Sequence, residues 1–331
     1  MPLARIREDN FRILELYSRL LNFSPRLVTE RAVRELTGPV SALSADVRAS
    51  IEESAVYGLL TALLGMEDGA FSRAYLLPSL KMLSAAPYKK DAYYKKIRFP
   101  AVKRGEWELG YEAYEPYELF VWNDIEYFEN GKELPRIGFF TERFAYPAVK
   151  QNGREWMTVT PNEIETMKEP LAASRGKVLT YGLGLGYFAF MASERDEVEQ
   201  VTVVERDASV ISLFREFILP SFPHKQKIRI IETDALDFAE HEAKGFDMIF
   251  ADIWHDASDG LPLYLRLKRA ERYAEGADCH YWIEKTLLSY LRTRRLAALE
   301  DKGLDEASLL EALSPVSLIR AAEEGLFDPL S

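Results

Sequence analysis

Apolar residues between Asn10 and Leu21 recur at Phe11, Leu14, Leu16, Leu20 and Leu21, close to the repeat of a helix with one buried face. Ser24-Pro25 has the form of a cap with proline in the first turn, and predicts a second helix through Leu36 that Gly38-Pro39 breaks. Two more helical stretches are expected near residues 45–64 and 69–83, before Pro87. Residues 1–86 therefore read as a helical N-terminal region, with no internal repeat.

From Tyr88 to Met157 the period shortens. Alternation such as Glu106-Trp107-Glu108-Leu109, with turn signals at Gly105, Asn130-Gly131 and Asn152-Gly153, predicts short strands and hairpins. Residues 87–170 are read as a small strand-rich lead-in segment. From Gly176 strands alternate with helices. Strands are expected at Val178–Tyr181, Val201–Val204, Ile228–Ile231 and Phe246–Ala251, with helices opening at Gly186 and near Ala208. Such alternation implies crossover connections and a mainly parallel sheet, an α/β fold over residues 171–285. Residues 286–331 return to helix, with breaks at Gly303 and Ser314-Pro315.

Composition narrows the classes. The 331 residues are 47% hydrophobic and 29% charged, which excludes a disordered or fibrous chain. Acidic residues outnumber basic ones by 53 to 42, so no general affinity for nucleic acid or for an anionic membrane is expected. Charge is unevenly spread, from +6 over residues 89–104 to −8 over residues 105–133. These runs are read as solvated faces that pair with one another, ahead of a cradle for a cationic substrate. The longest uncharged apolar stretch, Val178 to Ser193, has 16 residues and three glycines, too short to span a bilayer. Arg5, Arg7, Glu8 and Asp9 interrupt the N-terminal apolar residues, so no secretory leader is expected and the chain is read as cytoplasmic. The single cysteine, Cys279, excludes an internal disulfide, and the four histidines show no metal-ligand spacing. No metal is expected. A homodimer is left open.

Candidate chemistry concentrates after the first strand of the alternating region. Gly182, Gly184 and Gly186 follow Tyr181 where that strand turns into a helix, the place where a ligand approaches backbone amides. Glu205 ends the second strand, 23 residues after Gly182; Asp234 ends the third and Asp252 the fourth. Each acid alone reads as a helix N-cap. Together they converge on the crevice at the carboxyl ends of an open parallel sheet, where ligands bind. A dinucleotide fingerprint needs Gly or Ala where Tyr187 stands, which argues against NAD or FAD.

The segment from Tyr146 to Arg269 resembles the class I S-adenosylmethionine-dependent methyltransferase fold, and within it the spermidine-synthase-like branch. The resemblance is carried by Asn152-Gly153-Arg154-Glu155-Trp156-Met157, by Glu163 to Met167, and by the strand motifs Val201–Asp207, Ile228–Phe238 and Phe246–Asp252. It implies a Rossmann-like fold and S-adenosyl-L-methionine as cofactor. Tyr181, Gly182, Gly184 and Gly186 would then contact the cofactor, the glycines facing its methionine part. Glu205 would hold the ribose hydroxyls, and Asp234 with Ala235 would meet the adenine amino group. Asp252 would stand beside the sulfonium and receive a proton from an amine nucleophile, a task suited to a strand-end carboxylate.

Trp254, His255 and Asp256 are expected in the substrate pocket, with His255 a candidate general base or simply a hydrogen-bonded loop residue. Glu163 is a further substrate candidate, against the reading of a solvated helix face. Aminopropyl transferases of this branch carry an Asp in the glycine loop where Leu185 stands, and the loop after Asp252 lacks their Asp-Ser-x-Asp-Pro run. The expected function is therefore methyl transfer to a small amine-bearing or cationic acceptor. Aminopropyl or aminocarboxypropyl transfer, of the polyamine or nicotianamine type, is the alternative. A non-catalytic binding or scaffold protein is the third reading.

Overall fold

A computed structural model describes residues 3–40, 42–299 and 302–329. The chain forms two compact units, Met1–Lys89 with Glu112–Tyr146, and Lys90–Tyr111 with Pro147–Ser331. This grouping differs from the four segments read off the sequence, because strands of 112–146 pack with the N-terminal helices.

In the first unit, α1 (Leu3–Phe23), α2 (Glu30–Thr37) and α3 (Ala45–Leu63) are followed by a π-helical turn at Ser72–Leu76, α4 (Leu77–Ser79), β1 (Leu80–Met82) and α5 (Ala85–Lys89). Ile13, Tyr17, Val33, Leu60 and Leu76 are buried together with Ile137 and Phe139 of the sheet. The second helix begins later than Ser24-Pro25 suggests. Thr29 is its N-cap, accepting from the Ala32 N–H, while the Pro25 carbonyl accepts from Leu119 N–H. The end of the expected 69–83 helix is instead the strand β1. Its three residues pair in parallel with Ile137–Phe139, and that tertiary pairing overrides local helix propensity.

β2 (Val102–Arg104), β3 (Trp107–Tyr114), β4 (Phe120–Tyr127), β5 (Glu133–Phe139), β6 (Phe144–Gln151) and β7 (Arg154–Thr158) occupy the lead-in region. Turns fall at Gly105, at Asn130-Gly131 and at Asn152-Gly153; the last pair takes φ of 53° and 78°, as a tight two-residue hairpin requires. Among the described residues, several charges of the two runs find partners outside the other run. Lys89, Lys96 and Arg104 meet Glu142, Glu194 and Glu216, whereas Glu115, Glu118 and Glu126 meet Arg143, Arg26 and Arg136.

The second unit opens with α6 (Ala92–Lys96), capped by Asp91. It continues through α7 (Pro161–Thr166), α8 (Lys168–Ala173), β8 (Gly176–Tyr181), α9 (Tyr187–Ser193), β9 (Val198–Glu205), α10 (Ala208–Leu213), β10 (Ile228–Glu232), α11 (Ala235–His241), β11 (Met248–Ala251), α12 (Ala257–Ala270) and β12 (Asp278–Tyr281). Three helices close it: α13 (Glu284–Leu299), α14 (Glu306–Ala312) and α15 (Pro315–Glu323). The five strands run parallel in the order β10-β9-β8-β11-β12, so the order reverses on either side of β8. This is the doubly wound, Rossmann-like arrangement, and β12 is the strand that the sequence pattern did not reveal. Val178, Val201, Val203, Met248 and Phe250 are fully buried in it, as expected of a sheet covered on both faces. No helix among the described residues is long and apolar enough to cross a membrane.

Candidate functional site

Hydrogen bonds past the strand ends bring the glycine loop and the strand-end acids into one register. Gly182 N–H donates to Val204 O, Asp252 N–H to Tyr181 O and Trp282 N–H to Ala251 O, each at 2.9 Å. The residues just beyond β8, β11 and β12 are thereby held side by side at the point where strand order reverses. A cleft of about 580 Å³ opens there, lined by residues of the second unit only. The acidic run at 105–133 contributes nothing to that lining.

The glycines serve unequal purposes. Gly182 has φ 94°, and a Cβ on it would lie 2.0 Å from the Asp252 carbonyl oxygen. Gly184, at φ 53°, has space around it: a Cβ would meet only the Met157 sulfur, at 3.5 Å. Gly182 and Gly184 line the cleft. Gly186 does not. It is the left-handed N-cap of α9, and a Cβ there would come within 2.3 Å of the Phe214 ring, so packing accounts for it. Tyr181 also falls outside the lining; it is buried, with its ring edge-on to Phe238 at 6.4 Å.

On one side of the cleft, acids meet backbone donors. Glu205 accepts from Leu183 N–H at 3.1 Å and from Asp207 N–H at 2.9 Å, tying the glycine loop to the end of β9. Asp234 caps α11, its Oδ1 accepting from Leu236 and Asp237. The capping role and a place in the cleft coexist, because Oδ2 takes no part in the cap. Ala235 and Leu236 follow it along the wall.

On the other side stand Glu163 of α7 and Asp252. Both line the cleft, and among the described residues neither carboxylate has a hydrogen-bond or ion-pair partner. Burial raises both carboxyls. Asp252 is pushed up to about 7, and Glu163 is raised further from the carboxylate range by the charge of Asp252. Two unpartnered carboxylates in one cleft, both raised by burial, hold protons more readily than ordinary carboxylates and attract a cation once ionised.

The loop beyond β11 is set by a capping box. Asp256 accepts from Ser258 and Asp259 N–H, and Asp259 in turn accepts from the N–H of His255 and Asp256. Asp256, expected in the substrate pocket, is thus committed to starting α12 and does not line the cleft. Trp254 does line it, 5% exposed, with its pyrrole ring over Gly260, where a Cβ would lie 2.7 Å from Cγ. His255 sits at the exposed mouth, its Nδ1 3.4 Å from Asp259 and its ring edge-on to Trp156 at 4.5 Å. That position suits a rim contact better than proton transfer at the carboxylate corner.

Three features escaped the sequence pattern. Trp282, the residue after β12, lines the cleft and its indole N–H donates to Thr166 Oγ1 at 3.1 Å. Trp156 and Met157 form a wall from β7. Tyr93 of α6 donates from its hydroxyl to Leu185 O in the glycine loop, at 2.5 Å, and packs against Tyr187 and Phe190. Next to it the Tyr187 hydroxyl donates to Asp91, whose carboxyl burial raises. A strand-end aromatic in Cys279-His280-Tyr281-Trp282 was the available signal for Trp282. Polar residues in that short strand hid its period.

No protein-family model matches the chain, and no curated protein does. Solved structures do. A Klebsiella pneumoniae protein assigned as an O-methyltransferase aligns at 26% identity over 33% of this chain and 49% of its own, with a TM-score of 0.26. The spermidine synthase of Thermotoga maritima aligns at 20% identity over 39% of this chain and 48% of its own, with a TM-score of 0.29. An SAH-bound methyltransferase of Podospora anserina aligns at 18% identity over 49% of this chain and 66% of its own, with a TM-score of 0.30. The chain thus spans less than two thirds of the length of each.

Proposed function

We propose that this chain is an S-adenosylmethionine-dependent transferase that methylates a small, amine-bearing acceptor. One observation carries the reading: an unpartnered, desolvated pair of carboxylates, Glu163 and Asp252, shares a cleft with a glycine loop and with the strand-end acids Glu205 and Asp234. The cofactor suits the residues present. Gly182 and Gly184 would leave backbone open to its methionine part, Glu205 at the end of β9 would stand by the ribose hydroxyls, and Asp234 with Ala235 would border the adenine. When bound, it supplies an electrophilic carbon on a sulfonium.

The chain's own residues do the rest. Glu163 and Asp252 favour a positively charged acceptor and take up the proton that an ammonium must lose before its nitrogen is nucleophilic. Their raised proton affinity fits that exchange near neutral pH. Trp254 and Trp282 exclude water from the same corner. Leu185, 5% exposed, presents an apolar wall where a transferred aminopropyl chain would need an anion, and this favours methyl transfer over aminopropyl transfer.

Calorimetry with S-adenosylmethionine, S-adenosylhomocysteine, decarboxylated S-adenosylmethionine and methylthioadenosine tests the reading. Binding of the first two with the decarboxylated form weaker is expected. Preference for the decarboxylated form, or release of methylthioadenosine on turnover, would replace methyl by aminopropyl transfer. Binding of none would reduce the protein to a scaffold.

A further inference from the structure

We infer that the acceptor corner of the cleft is built for a single alkyl-substituted ammonium group, a monocation clad in carbon, and not for an extended diamine. The inference rests on the transferase reading and narrows its acceptor. Asp252 and Trp282 are lateral neighbours, since Ala251 pairs with Tyr281 and Trp282 N–H donates to Ala251 O at 2.9 Å. The far edge of the Trp282 indole is held by Thr166, one helical turn beyond Glu163 on α7. Both unpartnered carboxylates and this indole therefore meet at one corner. Trp254 stands two residues past Asp252 in the same lining, and Met167 and Leu263 complete it with hydrocarbon.

A primary ammonium gains chiefly from hydrogen-bond acceptors, whereas much of the lining beside the two carboxylates is the hydrocarbon and aromatic surface of Trp254, Trp282, Met167 and Leu263. An alkylated ammonium is weakly hydrated, spreads its charge over its methyl groups and gains from aromatic faces as well as from anions. A diamine would need a second unpartnered carboxylate further out. Asp259, the carboxylate at the mouth, is already engaged by the N–H groups of His255 and Asp256 and by the His255 ring, and Glu155 is not free either. On the cofactor side Glu205 is tied to backbone amides through both oxygens and Asp234 through Oδ1.

The test titrates tetramethylammonium and 1,4-diaminobutane into the full chain, with and without S-adenosylhomocysteine, following heat and indole fluorescence. Tetramethylammonium should bind at least about tenfold more tightly than the diamine, within the range of a desolvated cation–aromatic contact. Trp282→Leu should weaken it about tenfold, Trp282→Phe should retain most of the affinity, and Glu163→Gln should weaken it as well. A tighter diamine, an affinity indifferent to Trp282→Leu, or no binding of either amine to a folded protein would overturn the inference. Failure of S-adenosylhomocysteine to bind would instead overturn the transferase reading, and the amine titration of the ligand-free protein would still decide this one.

Discussion

Gly182 and the carbonyl of Asp252 approach so closely that a side chain of any kind on residue 182 would put its Cβ 2.0 Å from that oxygen. The contact is backbone against backbone, with φ 94° at the glycine, so no rotamer change relieves it. Gly182→Ala should lose about 2–4 kcal/mol of folding stability in denaturant titration. Gly184→Ala is the contrast. Its Cβ meets only Met157 at 3.5 Å, so it should cost about 1–2 kcal/mol for the left-handed backbone while lowering S-adenosylhomocysteine affinity by more than stability.

Acidic pairing in the cleft has a signed pH consequence. Glu163 and Asp252 hold their protons to higher pH when folded than when unfolded. The folded state therefore binds more protons between the ordinary carboxylate range and neutrality, and the stability of the ligand-free protein falls as pH rises through that window. A Glu163→Gln, Asp252→Asn double variant should match the parent near pH 4 and exceed it near pH 8 by on the order of 1–3 kcal/mol, read from melting curves across pH. Cation affinity should run the other way, rising through about pH 7 as Asp252 ionises.

Tyr93→Phe removes a buried hydrogen bond to the Leu185 carbonyl while leaving the ring contacts in place. The expected loss is about 1 kcal/mol of stability, with a several-fold weaker S-adenosylhomocysteine affinity measured by calorimetry. Unchanged affinity would confine the hydroxyl to a packing role.

Asp234→Ala and Glu205→Ala separate capping from loop support. The first should cost about 1 kcal/mol for the lost N-cap of α11. The second strands the N–H groups of Leu183 and Asp207 and should cost about 1–3 kcal/mol where they are shielded from solvent. Both should weaken cofactor binding, and Glu205→Gln, which keeps a carbonyl acceptor, should restore more stability than affinity.

Much of the sheet was legible because its interior strands are runs of Val, Ile and Leu bounded by glycines and acids, as in Val201–Glu205. The glycine loop and the three strand-end acids were equally plain, since their meaning depends on order along the chain. What stayed hidden depends on contacts distant in sequence. Asp256 reads as a site acid until the reciprocal bonds with Asp259 show it spent on a helix start. Gly186 reads as a ligand glycine until Phe214 fills the space beside it. Trp282 follows a strand too short and polar to show a period, and Tyr93 reaches Leu185 across 92 residues.

The interleaving of the two units along the chain constrains how the protein can be cut or made. Residues 90–111 belong with the sheet that begins at 176, yet 112–146 lie between them and belong with the helices made first. A single cleavage anywhere in the chain therefore cannot yield two intact halves. A gene fragment starting at 147 would lack Tyr93 and leave the Leu185 carbonyl without its donor. During synthesis, Tyr93, Ile97, Phe99 and Trp107, all buried in the finished fold, must wait for the rest of their unit to leave the ribosome. Removing 1–89 together with 112–146, and joining 111 to 147, is the surgery that respects this connectivity.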